Sequence, residues 1–121
     1  MVSGLTFAES VYASGPDLAI PMHAHENAFF HFLVDGVCEE IWGRTARTSV
    51  PSTLAFHPVG EPHANRWRSP GGRVFHIDIS GARAEIIREH TPLLDRPTEI
   101  IGGVGLWLAK RLYQEYQRTR S

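Results

Sequence analysis

The sequence predicts a mainly β domain, an antiparallel sandwich or small barrel, followed by one or two C-terminal helices. Three observations predict it. Seven or eight short extended runs, separated by turn-forming residues, occupy the first eighty residues. After Ser80-Gly81 the apolar period changes from that of a strand to that of a helix. The chain has 121 residues, 42% of them hydrophobic, which is one domain's worth and enough to bury a core without covalent staples. The division expected is a barrel over residues 1–81 and a helical extension over 82–121, packed on the barrel or at a dimer interface, in one domain overall.

The elements follow in order. Thr6 to Tyr12 reads as a first strand, closed by the turn cluster Ala13-Ser14-Gly15-Pro16-Asp17. Leu18 to His23 is a second extended piece, and Pro21 assigns it to a sheet edge or rim, because proline cannot donate to a central ladder. Ala28 to Val34 is almost continuously apolar, the mark of a buried strand. Asp35-Gly36 is a hairpin turn leading into Val37 to Trp42. Gly43-Arg44 turns the chain again, and Thr45 to Val50 is polar enough to lie outward or at an edge. Thr53 to His57, His63 to Arg68 and Arg73 to Ile79 supply the last strands, the final one alternating apolar and polar as a half-buried strand does. Ala82 to His90 reads as a short helix stopped at Thr91-Pro92. A longer helix is expected from about Gly105, where Val104, Trp107, Leu108 and Leu112 recur at helical spacing.

Composition excludes several classes. Net charge is −1, so the chain as a whole is no electrostatic binder of nucleic acid. The single cysteine, Cys38, permits no internal disulfide and suits a reducing cytoplasm; it reads as a small buried hydrophobe. No leader-like segment and no membrane-length apolar run is present, so a cytoplasmic location without membrane partners is expected. Nucleophile elbows, phosphate loops and dinucleotide fingerprints are missing, and no residue is assigned a catalytic role.

The chemistry concentrates in histidine. His23 and His25 stand two apart, so in a strand their imidazoles share a face. His63 follows the proline- and glycine-rich loop Pro58 to Pro62 and can supply a third ligand when strands are brought together. Neutral imidazole suits zinc, nickel or iron, and three histidines with open positions form a workable metal site. Phe29 and Phe30 stand where a completing carboxylate would be expected, and Glu26, next to His25, points the other way on a regular strand. The same region suits a pocket for a small organic ligand, walled by Phe29, Trp42 and Trp67 and edged by His31 and His76. His57 reads as structural, and His90 as a surface residue complementing a helix C-terminus.

These residues resemble the two motifs of the cupin β-barrels. His23-x-His25 and Gly36 stand where the first motif has them, with Phe29 in its glutamate position. Pro58, Gly60 and His63 match the second, whose opening glycine is here Ser52 and whose closing asparagine has Asn65 nearby. Over residues 6–116 the chain is similar to the N-terminal sensor domain of AraC-type transcription regulators, through Pro21 to Glu26, Pro51 to Pro58, Glu61 to Arg66 and Leu108 to Glu115. The resemblance implies a cupin-type jelly-roll barrel followed by dimerising helices. It implies a small effector or a divalent transition metal (zinc, nickel, iron or manganese) in the barrel, held by His23, His25 and His63. Its partners would be a second copy of the chain, through Val104, Trp107, Leu108 and Leu112, and DNA only through a helix-turn-helix region for which these residues leave no room. The alternative is a small metal-dependent cupin enzyme, a dioxygenase, isomerase or lyase; the missing glutamate counts against it.

Overall fold

A computed structural model describes residues 4–12, 19–100 and 102–120. Among the described residues are nine strands and two α-helices: β1 Leu5–Tyr12, β2 Ala19–His23, β3 Ala28–Asp35, β4 Cys38–Trp42, β5 Thr45–Ser49, β6 Leu54–His57, β7 His63–Trp67, β8 Gly72–Ile79, α1 Gly81–Arg88, β9 Thr98–Ile100 and α2 Gly103–Arg120. A 3-10 turn spans Pro92–Asp95. The turn read at Ala13 to Asp17, with Leu18, lies outside the described residues.

The strands form two antiparallel sheets, ordered β1-β8-β3-β6-β9 and β2-β7-β4-β5, which face each other as a jelly-roll barrel. The edges fall where local chemistry tolerates them: β2, with Pro21, and the polar β5 flank the four-stranded sheet. The β3–β4 hairpin turns at Gly36, whose φ of +95° suits glycine. A Cβ there would lie 2.5 Å from the Gly71 carbonyl oxygen, so the turn has no room for a side chain. β9 was not read from the sequence. It pairs with β6 at Leu54↔Ile100 and Phe56↔Thr98, returning the chain to the five-stranded sheet before α2 begins.

Strand alternation gives the five-stranded sheet two different faces. Phe30, Phe32, Leu54, Phe56, Phe75, Ile77 and Ile79 turn outward, where α1 and α2 cover them. One cluster joins Phe32, Leu54, Phe75 and Ile77 to Ala109 and Tyr113 of α2; another joins Ala28, Phe56 and Ile79 to Ala84 and Ile87 of α1. Ser80 caps α1 by accepting from the Arg83 N–H at 3.2 Å. The Tyr113 hydroxyl donates to Glu9, tying α2 to β1.

The inner face is arranged in rows. Register places Asp78, Phe29 and His57 side by side, then His76, His31 and Ala55, then Val74 beside Leu33. On the facing sheet His23 pairs with His63, Asn65 with Glu40 and Glu40 with Arg47, and Trp67 with Cys38 and Cys38 with Ser49. The lowest layer, Leu33, Cys38, Trp67 and Val74, is apolar and buried. Cys38 is the small buried hydrophobe expected, and burial raises its thiol to about 11.

Candidate functional site

β2 and the start of β7 bring His23, His25 and His63 together at one mouth of the barrel. Their ring centroids are 4.4 Å (His23–His63), 5.0 Å (His23–His25) and 5.2 Å (His25–His63) apart. One candidate ligand atom from each lies within 4.8 Å of the others. Local backbone prepares two of the rings. His23 Nδ1 lies 2.7 Å from the Pro21 carbonyl oxygen and His63 Nδ1 lies 3.1 Å from that of Glu61. A carbonyl only accepts, so each contact places the proton on Nδ1 and leaves the Nε2 lone pair for an ion. In both cases the carbonyl two residues upstream of the ring, that of Pro21 or of Glu61, sets the tautomer. The Gly60 N–H donates to the His25 carbonyl at 3.0 Å, pinning the loop before β7 to the chain after β2.

Electrostatics favour the neutral, ligating form. Burial lowers His63 to about 4, only partly opposed by its bond to Glu61. His25, the exposed member, is lowered by partial desolvation and by His23. Phe29 forms the floor beneath the trio, its ring centroid 4.5 Å from His25 and 5.9 Å from His63. An apolar ring thus occupies the position of the absent glutamate. The rim is a three-histidine set whose donors fit a transition-metal ion.

Below the floor is a polar layer that sequence reasoning missed. Glu40 on β4 is 1% exposed. Its Oε2 lies 2.9 Å from His57 Nε2 and 3.4 Å from His31 Nε2, and accepts from Asn65 Nδ2 at 3.5 Å. Its Oε1 accepts from Arg47 Nη2 at 3.2 Å. Burial opposes the charge on Glu40, but the His57 hydrogen bond, His31 and Arg47 outweigh it and hold the carboxyl at about 2. Burial lowers His31 to about 3, although Glu40 pulls the other way. His31 thus joins Glu40 and His57 instead of completing the rim set. His57 is fully buried, and its ring stacks on His63 at 4.8 Å, linking the two groups. The signal for Glu40 was its parity: it shares a strand face with Cys38 and Trp42, and a carboxylate between two apolar positions of one face points into the barrel.

A cavity of about 50 Å³ lies beside this layer, lined by His31, Glu40, Asn65, His76, Trp67 and Ser49 among others. Trp67 Nε1 and Ser49 Oγ are buried without a hydrogen-bond partner. Of the predicted pocket residues, His31, Trp67 and His76 reach this cavity. Phe29 and Trp42 do not line it: Phe29 floors the rim, and Trp42 carries the Arg47 guanidinium 4.6 Å above its ring. The stripe Val104, Trp107, Leu108 and Leu112 does not line the cavity and is 41–72% exposed, Leu112 sharing a surface groove with Phe7 of β1. The face of α2 that packs inward is Leu106, Ala109, Tyr113 and Tyr116.

No protein-family model matches the chain, and no curated protein sequence matches it. Solved structures do. The chain is similar to the DMSP lyase DddQ from Ruegeria pomeroyi DSS-3, with 25% identity and a TM-score of 0.58, over 66% of this chain and 40% of that one. It is similar to ToxT from Vibrio cholerae, with 10% identity and a TM-score of 0.63, over 88% of this chain and 46% of that one. A cupin-2 domain protein from Shewanella frigidimarina aligns with 12% identity and a TM-score of 0.54, over 65% of this chain and 74% of that one. The chain therefore spans less than half the length of DddQ and of ToxT. Its fold is the cupin jelly roll, shared with these structures.

Proposed function

We propose that this chain is the ligand-sensing and dimerising cupin module of an AraC-type regulator. The observation that carries the reading is the relation of site to helix. Phe29, His31, His57 and His76 sit on the inner face of the sheet whose outer face holds α2. A change among the inner side chains is thus one strand's thickness from the helix. On its far side α2 presents the apolar stripe Val104, Trp107, Leu108 and Leu112, which suits a second copy of the chain. The likeness to ToxT runs through 88% of the chain, against 66% for DddQ, which supports treating barrel and helices as one unit.

In this reading the effector is no larger than a few heavy atoms, since it occupies the interior cavity of about 50 Å³. It offers an acceptor to the Trp67 indole N–H and a partner to Ser49, whose burial unpaired costs on the order of 1–3 kcal/mol each. The rim holds a divalent transition metal, zinc, nickel, iron or manganese, through His23, His25 and His63. When bound, such an ion supplies a Lewis-acidic coordination point at the cavity mouth. The module works in the cytoplasm, and DNA contact belongs to a helix-turn-helix region that is not among the described elements. No helix among the described residues is long and apolar enough to cross a membrane.

Sedimentation of the chain at tens of micromolar tests the core of the proposal. A dimer is expected, converted to monomer by Trp107→Glu with Leu108→Asp. A wild-type monomer overturns it. The second reading, a small metal-dependent lyase or related enzyme, is favoured by the 25% identity to a DMSP lyase across the barrel. Turnover by metal-loaded chain that is lost in His63→Ala would replace the sensor reading with that one.

A further inference from the structure

We infer that the barrel interior holds a second metal site, formed by Nε2 of His31, Nε2 of His57 and Oε2 of Glu40, separate from the histidine rim. One ligand atom from each of these three residues lies within 4.8 Å of the others. Two of the separations have the span of a coordination shell. Ligands about 2.1 Å from an ion, at angles of about 90–110°, lie about 2.9–3.4 Å apart. Glu40 Oε2 is 2.9 Å from His57 Nε2 and 3.4 Å from His31 Nε2. Two imidazoles and one carboxylate with open positions is the donor set that holds iron(II), and it also accommodates manganese and zinc.

The surroundings prepare this set. Arg47 occupies Oε1 of Glu40 at 3.2 Å, the outer-shell bond that orients a ligating carboxylate, and leaves Oε2 to its two imidazole partners and to Asn65 Nδ2 at 3.5 Å. Arg47 is also 2.8 Å from Glu99 on β9. The group Glu40, Arg47 and Glu99 therefore carries a net charge of about −1, and a divalent cation meets a favourable field despite the guanidinium. His57 is held by burial and by its stack on His63. An ion at its Nε2 replaces the proton now directed at Glu40 and moves it to Nδ1, which keeps the imidazole neutral; Nδ1 is buried without a partner, a cost that the metal–ligand bond must exceed. His31 and Glu40 both line the cavity of about 50 Å³, which has room for water on the open coordination positions.

The inference is independent of the regulatory reading. It is tested by stripping the full chain with a chelator, titrating it with zinc(II) alone and then with iron(II) under anaerobic conditions, and counting bound metal by elemental analysis. The expected count is two equivalents in the wild type. The double variant His23→Ala/His25→Ala keeps one, because these residues do not touch the interior set. His31→Leu keeps one, and the two sets of substitutions combined keep none. His31→Leu is chosen over Glu40→Gln because it leaves the Glu40–Arg47 pair intact; circular dichroism checks that each variant is folded. One equivalent lost in His31→Leu but kept in the rim variant supports the interior site and removes the rim proposal. A His31→Leu variant with the wild-type count, or a wild type binding no metal, overturns the inference.

Discussion

The two faces of the five-stranded sheet are built from the same strands and do opposite work. Along β3, Phe30 and Phe32 pack against α1, α2 and neighbouring strands, while Phe29, His31 and Leu33 face the other sheet. β6 divides into Leu54 and Phe56 outside, Ala55 and His57 inside. β8 divides into Phe75, Ile77 and Ile79 outside, Val74 and His76 inside. The outer face is hydrocarbon sealed under two helices, and the hydrophobic effect rewards every such contact. The inner face spends burial on imidazoles and a carboxylate, groups whose desolvation is unfavourable. Stability lives mainly on one side of each strand and chemistry on the other. The barrel can therefore carry a polar interior because its main apolar core is outside, between sheet and helices.

Substitutions on the outer face separate the two roles most sharply. Phe75 is fully buried and its ring lies 5.2 Å from Tyr113 and 5.1 Å from Tyr116 of α2. Phe75→Ala is expected to cost about 3–5 kcal/mol in urea unfolding, from lost burial plus the cavity left behind. Metal stoichiometry measured in the folded fraction should not change. A loss of metal at unchanged stability would show that the faces are not separable. A smaller effect is expected where the inner face itself becomes apolar. A Cβ at Gly72 would lie 2.0 Å from Trp67 Cζ3, and Trp67 is 2% exposed, so the ring can yield only toward the cavity of about 50 Å³ that it lines. Gly72→Ala should cost about 1–3 kcal/mol by overpacking, with a blue or red shift of the tryptophan emission as the indole is displaced. An unshifted, fully stable variant would mean the lowest layer has slack.

How much of this the sequence contained depends on range. Strand positions were legible because alternation and turn chemistry are local: β3 and the Asp35-Gly36 hairpin stand where the pattern put them. Pro21 marked an edge strand correctly because its missing N–H is a property of one residue. The meeting of His23, His25 and His63 was legible from one short spacing and one loop. What stayed hidden was pairing across the barrel. His57 was read as structural, and Glu40 was not singled out. Their contact joins positions 17 residues apart, on different sheets, which no local period reports. β9 was missed for a related reason: three residues carry too little periodicity, and only the open edge of β6 makes them a strand. The stripe on α2 was seen, but spacing alone could not say which side of a helix faces its own barrel. Leu106, Ala109, Tyr113 and Tyr116 take that side.

The gentlest probe of the two faces is acid, because the histidines that burial shifts all lie on the inner face or at its rim. His31 is lowered to about 3 and His63 to about 4, and burial shifts His25 and His76 in the same direction. In the unfolded chain these groups return to about 6.5. Between those limits the unfolded state binds protons that the folded state refuses, so stability is complete above about pH 6.5 and falls as pH falls toward 4 and then 3. Glu40, held at about 2 against an ordinary 4.5, adds a further loss only between about pH 4.5 and 2. Each proton taken up by the unfolded chain alone steepens the decline by about 1.4 kcal/mol per pH unit. His31→Leu removes one such group. In the metal-free protein its unfolding free energy should therefore fall less steeply between pH 6 and 4 than the wild type's, by up to that slope. At pH 7.5 the substitution should lower stability, since it takes away the imidazole 3.4 Å from the buried Glu40 carboxylate, but this cost is the same at every pH where Glu40 is ionised and leaves the difference in slope readable. Parallel pH profiles for the two proteins would mean that His31 takes up its proton in the folded state. The inner face would then be open to water at acid pH, and the contrast with the sealed outer face would be sharper than burial alone implies.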